Sequence, residues 1–352
     1  MPELDFGPLR RLIGDGDIVS MPGGASTRRY FRVQMEGRGS AVAMFVPEGG
    51  KPEEIAKDGH RHRWPFLEVR DLLAERGVDV PAIYGEDTDA GWLVLEDLGD
   101  DTLANYLLRV GGARTALYTR AIEDLARAQE RLADLPEESI VRTRAFDEDL
   151  LRWEVDHFRE WGLEARGHHL PEDERADFDA IADRLARRIA AWPRGFVHRD
   201  YQSRNLMVRT DGAGAPRGLV WIDFQDALLG PRIYDVVALL GDSYQEFERA
   251  FVTARLEEFR RAHALPESER ATLELEFDLM TVQRKLKDAG RFVFIDRVKG
   301  NASFLKFVVP TIHKVKASLD RLLALRLGGE VGSDMARLDA ILRRALPADE
   351  WR

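Results

Sequence analysis

The segment Val197-His198-Arg199-Asp200-Tyr201-Gln202-Ser203-Arg204-Asn205-Leu206-Met207-Val208 sets an Asp and an Asn on one polar loop. Downstream, Trp221-Ile222-Asp223-Phe224 brings a second Asp to the end of an apolar run. Residue types at these spacings suit phosphoryl transfer. Asp200 can accept the proton of an attacking hydroxyl, Asn205 can offer an amide oxygen to magnesium, and Asp223 can supply the stronger, charged metal ligand. Magnesium takes oxygen ligands and keeps several waters, so one carboxylate, one amide and the substrate phosphates suit it. The transfer is mostly alignment and charge neutralisation, which an oriented Asp and a bound metal can provide. An isolated His-x-Asp is more commonly a loop histidine beside a capping Asp. Here the apolar triplet 206–208, a polar Gly-bearing turn over 210–218 and the apolar run 219–222 read as strand, turn, strand. That hairpin carries Asn205 and Asp223 to one end, which favours the metal-site reading.

The elements that must position this hairpin fall into two groups. The N-terminal part reads as strand-rich: a hairpin over 27–35 and 40–46 around Glu36-Gly37-Arg38-Gly39, helix within 52–76 stopped by Gly77, and strands over 81–84 and 91–96. After the polar connector 97–101, helices dominate, at 103–109, 115–135, 147–161 and 173–192 before the catalytic hairpin. Beyond it, helices are expected at 233–243, 244–263, 267–289, 303–327 and 333–346. The expectation is an α+β, bilobal fold. A small antiparallel sheet lobe over 1–98 would bind the nucleotide, and a larger, mainly helical lobe over 99–352 would carry the catalytic loop and the acceptor site.

Composition narrows the classes. A chain of 352 residues, 44% hydrophobic and 32% charged, is long enough for two lobes with sizeable cores. A net charge of −10 argues against nucleic acid as partner, since such binding shows as a basic patch or stripe. The basic cluster Arg184, Arg187 and Arg188 alternates with apolar positions and reads as a solvated helix face. No stretch is apolar enough for a membrane span, and 1–14 has acidic residues rather than a signal core. With no cysteine there is no disulfide or thiol chemistry. A cytoplasmic monomer acting on small molecules is expected.

Pro22-Gly23-Gly24-Ala25-Ser26-Thr27 precedes the first hairpin. Small residues let backbone N–H groups approach phosphate oxygens, and Ser26 and Thr27 add hydroxyl donors. Such stretches are mostly plain turns, and it is the downstream loop that raises this one to a phosphate contact. Glu96-Asp97-Leu98 follows an apolar strand, the place where a bilobal kinase would hold adenine by backbone hydrogen bonds. Solvated hinge carboxylates are an equal reading of Glu96 and Asp97.

Together Gly24-Ala25-Ser26, Tyr30-Phe31-Arg32-Val33, His198-Arg199-Asp200 with Asn205, Ile222-Asp223-Phe224, Gly230-Pro231-Arg232 and Tyr234-Asp235 resemble the aminoglycoside phosphotransferase-like family of small-molecule kinases. These are distant relatives of the protein kinases, and the resemblance spans most of 20–240. It implies a protein-kinase-like fold with ATP and Mg2+ between the lobes. It also implies Asp200 as base, Asn205 and Asp223 as magnesium ligands, and Asp235 as a buried structural carboxylate. A closer similarity is carried by Ser26-Thr27-Arg28-Arg29-Tyr30-Phe31-Arg32, Gly77-Val78-Asp79-Val80-Pro81, Leu93-Val94-Leu95-Glu96-Asp97-Leu98-Gly99, Phe224-Gln225-Asp226-Ala227 and Gln283-Arg284-Lys285-Leu286-Lys287-Asp288-Ala289-Gly290. These stretches are similar to the bacterial anomeric sugar kinases of cell-wall recycling. That implies transfer to the C1 hydroxyl of N-acetylmuramate or N-acetylglucosamine. Gln225 and Asp226 would suit sugar hydroxyls, and Arg284 and Lys287 a carboxylate such as a lactyl group. A basic pair near a helix C-terminus is favoured by the dipole in any case. Two other classes stay open: a kinase of another small alcohol (an aminoglycoside, a choline-like amine or an amino acid), and a non-catalytic nucleotide-binding pseudokinase.

One departure feeds the pseudokinase alternative. Kinase-like folds carry a phosphate-binding Lys on the strand written here Val42-Ala43-Met44-Phe45-Val46, paired with a Glu on the next helix. The Lys position holds Met44, and Glu68 stands a residue out of step, which turns a helical side chain by about 100°. Losing both partners leaves no lone buried charge. The expectation is that Arg29 or Arg32 reaches the phosphates instead, with Arg32 favoured because Arg29 shares its strand face with Phe31 and Val33.

Overall fold

The computed structural model describes residues 4–22, 27–47 and 63–351. Gly24, Ser26 and residues 52–62 of the expected helix lie outside them. The chain begins with α1 (Gly7–Ile13), β1 (Ile18–Ser20), β2 (Arg29–Met35), β3 (Gly39–Phe45), α2 (Pro65–Glu75), β4 (Ile83–Asp87), β5 (Trp92–Glu96) and α3 (Leu103–Arg109). Then come α4 (Arg114–Arg131), α5 (Ile140–Thr143), α6 (Glu148–His157), α7 (Glu172–Ala190), β6 (Arg194–Val197), β7 (Leu206–Thr210) and β8 (Pro216–Trp221). The remainder is β9 (Leu228–Pro231), α8 (Tyr234–Leu240), α9 (Arg249–Ala262), α10 (Arg270–Lys299), α11 (Val308–Ala324) and α12 (Gly329–Ala345). These elements form two compact units, Met1–Arg109 with Arg204–Asp226, and Val110–Ser203 with Ala227–Arg352.

In the first unit strands β1 to β5 form an antiparallel sheet in the order β1-β2-β3-β5-β4. Alternation along β2 sends Phe31 and Val33 to one face, where they bury with Ala41, Ala43, Trp92 and Val94. Helix α1 covers that face with Leu9 and Ile13. Each such side chain contributes about 1.5–3 kcal/mol on full burial, so the short α1 is held by packing rather than propensity. Neither α1 nor β1 is long enough to show a period in sequence. On α2, Phe66 stacks on Phe224 with ring centroids 5.1 Å apart.

The hairpin β7–β8 pairs Leu206 with Trp221 and Val208 with Leu219. It is fastened within the same unit. The Val208 amide donates to the Asp101 carbonyl at 2.7 Å, the Trp221 amide to the Asp79 carbonyl at 2.8 Å, and the Tyr106 hydroxyl to the Gly214 carbonyl at 3.2 Å.

The second unit is built on α10, a helix of 30 residues ending at Gly300, whose φ of 68° caps it in the left-handed region. The helix expected to stop at 289 therefore runs on to Lys299, and Arg284 and Lys287 are not near its C-terminus. Gly290 is a crossing point, not a stop. A Cβ there would lie 2.4 Å from the His157 carbonyl oxygen, where α6 passes into the π-helical turn Phe158–Leu163. Among the described residues no helix is long and apolar enough to cross a membrane.

Candidate active site

Strand β6 pairs with β9 and delivers His198-Arg199-Asp200 in the second unit. Arg199 holds a φ of 78°, a conformation that costs a non-glycine residue on the order of 1–3 kcal/mol. Its neighbours compensate. The His198 and Arg199 amides donate to the Asp235 carboxylate at 2.6 and 3.0 Å, and Arg284 Nη1 donates to the Arg199 carbonyl at 2.9 Å. Asp235 and Arg284 are wholly buried. The Arg284 guanidinium sits 4.5 Å from the Tyr234 ring centroid and 3.4 Å from Asp200 Oδ1. Burial pushes the Asp235 carboxyl up to about 7, against the two amides that favour its ionised form. The far end of the loop is held by Asp242, which accepts from the Ser203 amide at 3.0 Å and from the Ser203 hydroxyl. The Tyr201 hydroxyl donates to the Ala121 carbonyl at 2.8 Å.

Asp200 keeps 37% of its side chain accessible. Desolvation would raise its carboxyl, but the positive charges of Lys287, Arg284 and Arg199 outweigh that and hold it below the usual carboxylate range. An ionised, oriented carboxylate is what a proton acceptor requires. Arg284 has no accessible surface to offer an acceptor. Lys287 does, at 14%, with Nζ 3.2 Å from Asp288 Oδ1 and 3.9 Å from Glu154 Oε1.

In the first unit the hairpin register brings the two expected metal ligands to one end. The Ile222 amide donates to the Asn205 carbonyl at 3.0 Å, directly before Asp223. Asp223 takes a φ of 63° and leaves 44% of its side chain accessible, while Phe224 beside it is fully buried. Buried Gln225 donates its amide to Asp223 Oδ1 at 3.0 Å and to Asp226 Oδ2 at 3.1 Å. Gln225 thus orients the Asp223 carboxylate. A carboxylate and an amide oxygen at one hairpin end are a donor set that fits a hard divalent cation completing its shell with phosphate and water.

The residues expected at the nucleotide are more dispersed. Glu96 is ion-paired with Arg209 at 2.6 Å and accepts from the Ala82 amide at 3.2 Å. Burial works against ionisation there, but these partners hold its carboxyl below the usual range. Leu98 is partly exposed and Thr27 exposed. Arg32 is engaged by Asp97 at 2.9 Å and Asp100 at 2.9 Å, and Asp97 also accepts from the Ser40 hydroxyl. Arg29 lies 5.4 Å from the Phe31 ring centroid. The arginine beside Asp223 is Arg28, with Nη1 3.6 Å from Asp223 Oδ1. Sequence reasoning passed over Arg28, Asp242, Glu154 and Asp288. Glu154 left a signal, since it falls in the apolar stripe of α6 beside Leu151 and Val155.

A family model described as the phosphotransferase enzyme family matches residues 17–273. A Pseudomonas aeruginosa protein named N-acetylmuramate/N-acetylglucosamine kinase is 34% identical over 339 residues, covering 94% of this chain and 92% of its own. A Pseudomonas putida protein of the same name is 33% identical over 331 residues, covering 92% and 89%. Among solved structures, choline kinase from Cryptosporidium parvum shares the fold with a TM-score of 0.61 at 12% identity, covering 96% of this chain and 98% of that one. A family match across most of the sequence, and relatives a third identical over nearly all of it, establish that the chain belongs to the phosphotransferase enzyme family.

Proposed function

We propose that this protein is an ATP-dependent sugar kinase that transfers the γ-phosphate to the anomeric C1 hydroxyl of N-acetylmuramate and N-acetylglucosamine, a step of peptidoglycan recycling. The observation that carries the substrate class is identity of about a third, over nearly whole chains, to relatives named for that activity. The loop geometry supports the chemistry. Asp200, held ionised by Lys287, Arg284 and Arg199, takes the proton of the attacking hydroxyl. Asn205 and Asp223 would hold Mg2+, which when bound neutralises charge on the phosphates. Gln225 orients Asp223, and Asp226 remains the residue of that pair assigned to the sugar. Arg284 is assigned to loop positioning because of its burial, and Lys287 to an acceptor carboxylate such as a lactyl group. We assign 1–98 to the nucleotide and 99–352 to catalysis and acceptor, in a cytoplasmic monomer where ATP is supplied.

ADP release measured with a panel of amino sugars, amines and aminoglycosides tests this reading, with the product's phosphorylated position read by phosphorus NMR. The expected result is turnover on the two amino sugars and a phosphate at C1. Turnover on an amine or an aminoglycoside alone would overturn the substrate assignment. A cationic acceptor calls for a carboxylate-lined site, and Lys287 beside Asp200 is the wrong charge for one.

A further inference from the structure

The strand position at which kinase-like folds carry a phosphate-binding lysine is closed in this chain. Met44 is 1% exposed and lies opposite Tyr30 across the β2–β3 ladder. A triphosphate still needs a cation on this side, because transition-state charge spreads over its oxygens and must be neutralised by fixed groups. Arg32 is held by Asp97 and Asp100, and Arg29 lies against Phe31 in the face that α1 covers. Arg28 differs from both. It stands directly after Thr27, its side chain is only 14% exposed, and its guanidinium approaches Asp223 Oδ1 to 3.6 Å. Its positive charge also acts on the Tyr30 hydroxyl, and Tyr30 is the strand partner of Met44. We propose that Arg28 is the triphosphate-binding cation of this enzyme, supplying from the residue before β2 the charge that related folds supply from a lysine on the neighbouring strand. Arginine suits the task because its planar fork stays charged and donates to phosphate oxygens in pairs. Asp223 would hold Mg2+ against the phosphates, and a guanidinium already beside that carboxylate would be placed to donate to the same group. The assignment rests on the ATP-dependent reading above.

Equilibrium titration of Mg·ATP and of AMP onto the wild-type protein and onto Arg28→Met, Arg28→Lys and Arg32→Met tests it. Arg28→Met should weaken Mg·ATP binding by on the order of tenfold to a hundredfold, the weight of a charge-assisted hydrogen-bond pair. AMP affinity and the Michaelis constant for the sugar should change little, because neither ligand offers the β- and γ-oxygens. Arg28→Lys should recover part of the loss, and Arg32→Met should leave Mg·ATP affinity near wild type. Unchanged Mg·ATP affinity in Arg28→Met overturns the proposal, as does an equal loss for AMP, which would mark Arg28 as merely structural. If the wild-type protein itself fails to bind Mg·ATP, the kinase reading falls. If it binds and turns over while Arg28→Met binds equally well, only the role of Arg28 falls.

Discussion

At the scale of single residues, the two loop carboxylates ask for different tests. Asp200→Asn keeps the shape of the side chain and removes its basicity, so nucleotide and sugar binding should persist. Turnover should fall by roughly 10²–10⁴, as for loss of a general base; near-wild-type turnover would refute the assignment. The depressed carboxyl of Asp200 also sets a pH dependence. Its native form stays ionised as pH falls through the ordinary carboxylate range, so activity tied to it is present above that range and is lost only at lower pH. Lys287 is the leading positive charge that lowers it, so Lys287→Met should move the acid limb of the kcat/KM profile to higher pH. A limb that stays in place would show that the lysine does not act on Asp200. On the proposed metal side, Asp223 would contribute a full charge and Asn205 only a dipole. Asp223→Ala should abolish magnesium-dependent turnover, while Asn205→Ala should raise the magnesium needed for half-maximal rate. The opposite ranking in a magnesium titration would reverse these roles.

At the scale of elements, the loop after β6 keeps a left-handed Arg199 because α8 and α10 each contribute a support. Asp235 from α8 takes two buried amides, and Arg284 from α10 takes the Arg199 carbonyl. Asp235→Ala leaves both amides without their acceptor and should destabilise the protein by about 2–4 kcal/mol in denaturant titration, with a matching fall in kcat. Lost stability with unchanged kcat would separate Asp235 from catalysis. Gly290→Ala puts a methyl against the His157 carbonyl, a backbone atom that can move only with its helix, and should cost about 1–3 kcal/mol. These elements also show what the sequence could disclose. The β7–β8 hairpin was legible because apolar runs flanked a Gly-bearing turn, and that register places Asn205 and Asp223 at one end. Asp235 was legible as a structural carboxylate only through the family resemblance. The extent of α10 was not legible, because a glycine that admits a crossing helix looks the same in sequence as one that ends a helix. Arg28 escaped notice for a related reason: Arg28, Arg29 and Arg32 are alike in sequence, and only their partners tell them apart. Alternation did place Arg29 on the face that carries Phe31 and Val33. It could not show that Asp97 and Asp100 already hold Arg32.

At the scale of the whole molecule, the chemistry-bearing residues are shared between the two units. Arg28, Asn205, Asp223 and Glu96 belong to the first, and Asp200, Arg284 and Lys287 to the second. Chain order does not follow this division, since the catalytic loop begins in the second unit and passes into the first at Arg204. A chain of this kind need not unfold in one step, so a single melting temperature would blur the response of each unit to its ligand. Amide hydrogen exchange resolves it. A ligand bound only to the native form stabilises what it touches by RT ln(1 + [L]/Kd), about 2.7 kcal/mol at a hundredfold excess over Kd. Amides that exchange by opening of that unit should then slow by roughly a hundredfold. A non-hydrolysable ATP analogue with magnesium should protect 28–35, 205–210 and 219–224 most strongly. The amino sugar added alone should protect 198–203. Asp223→Ala should erase the nucleotide pattern and leave the sugar pattern, because the carboxylate it removes is the one proposed to hold the metal at the nucleotide. If the sugar instead protects the β7–β8 hairpin, or the nucleotide protects only 198–203, the assignment of ligands to these residues is wrong.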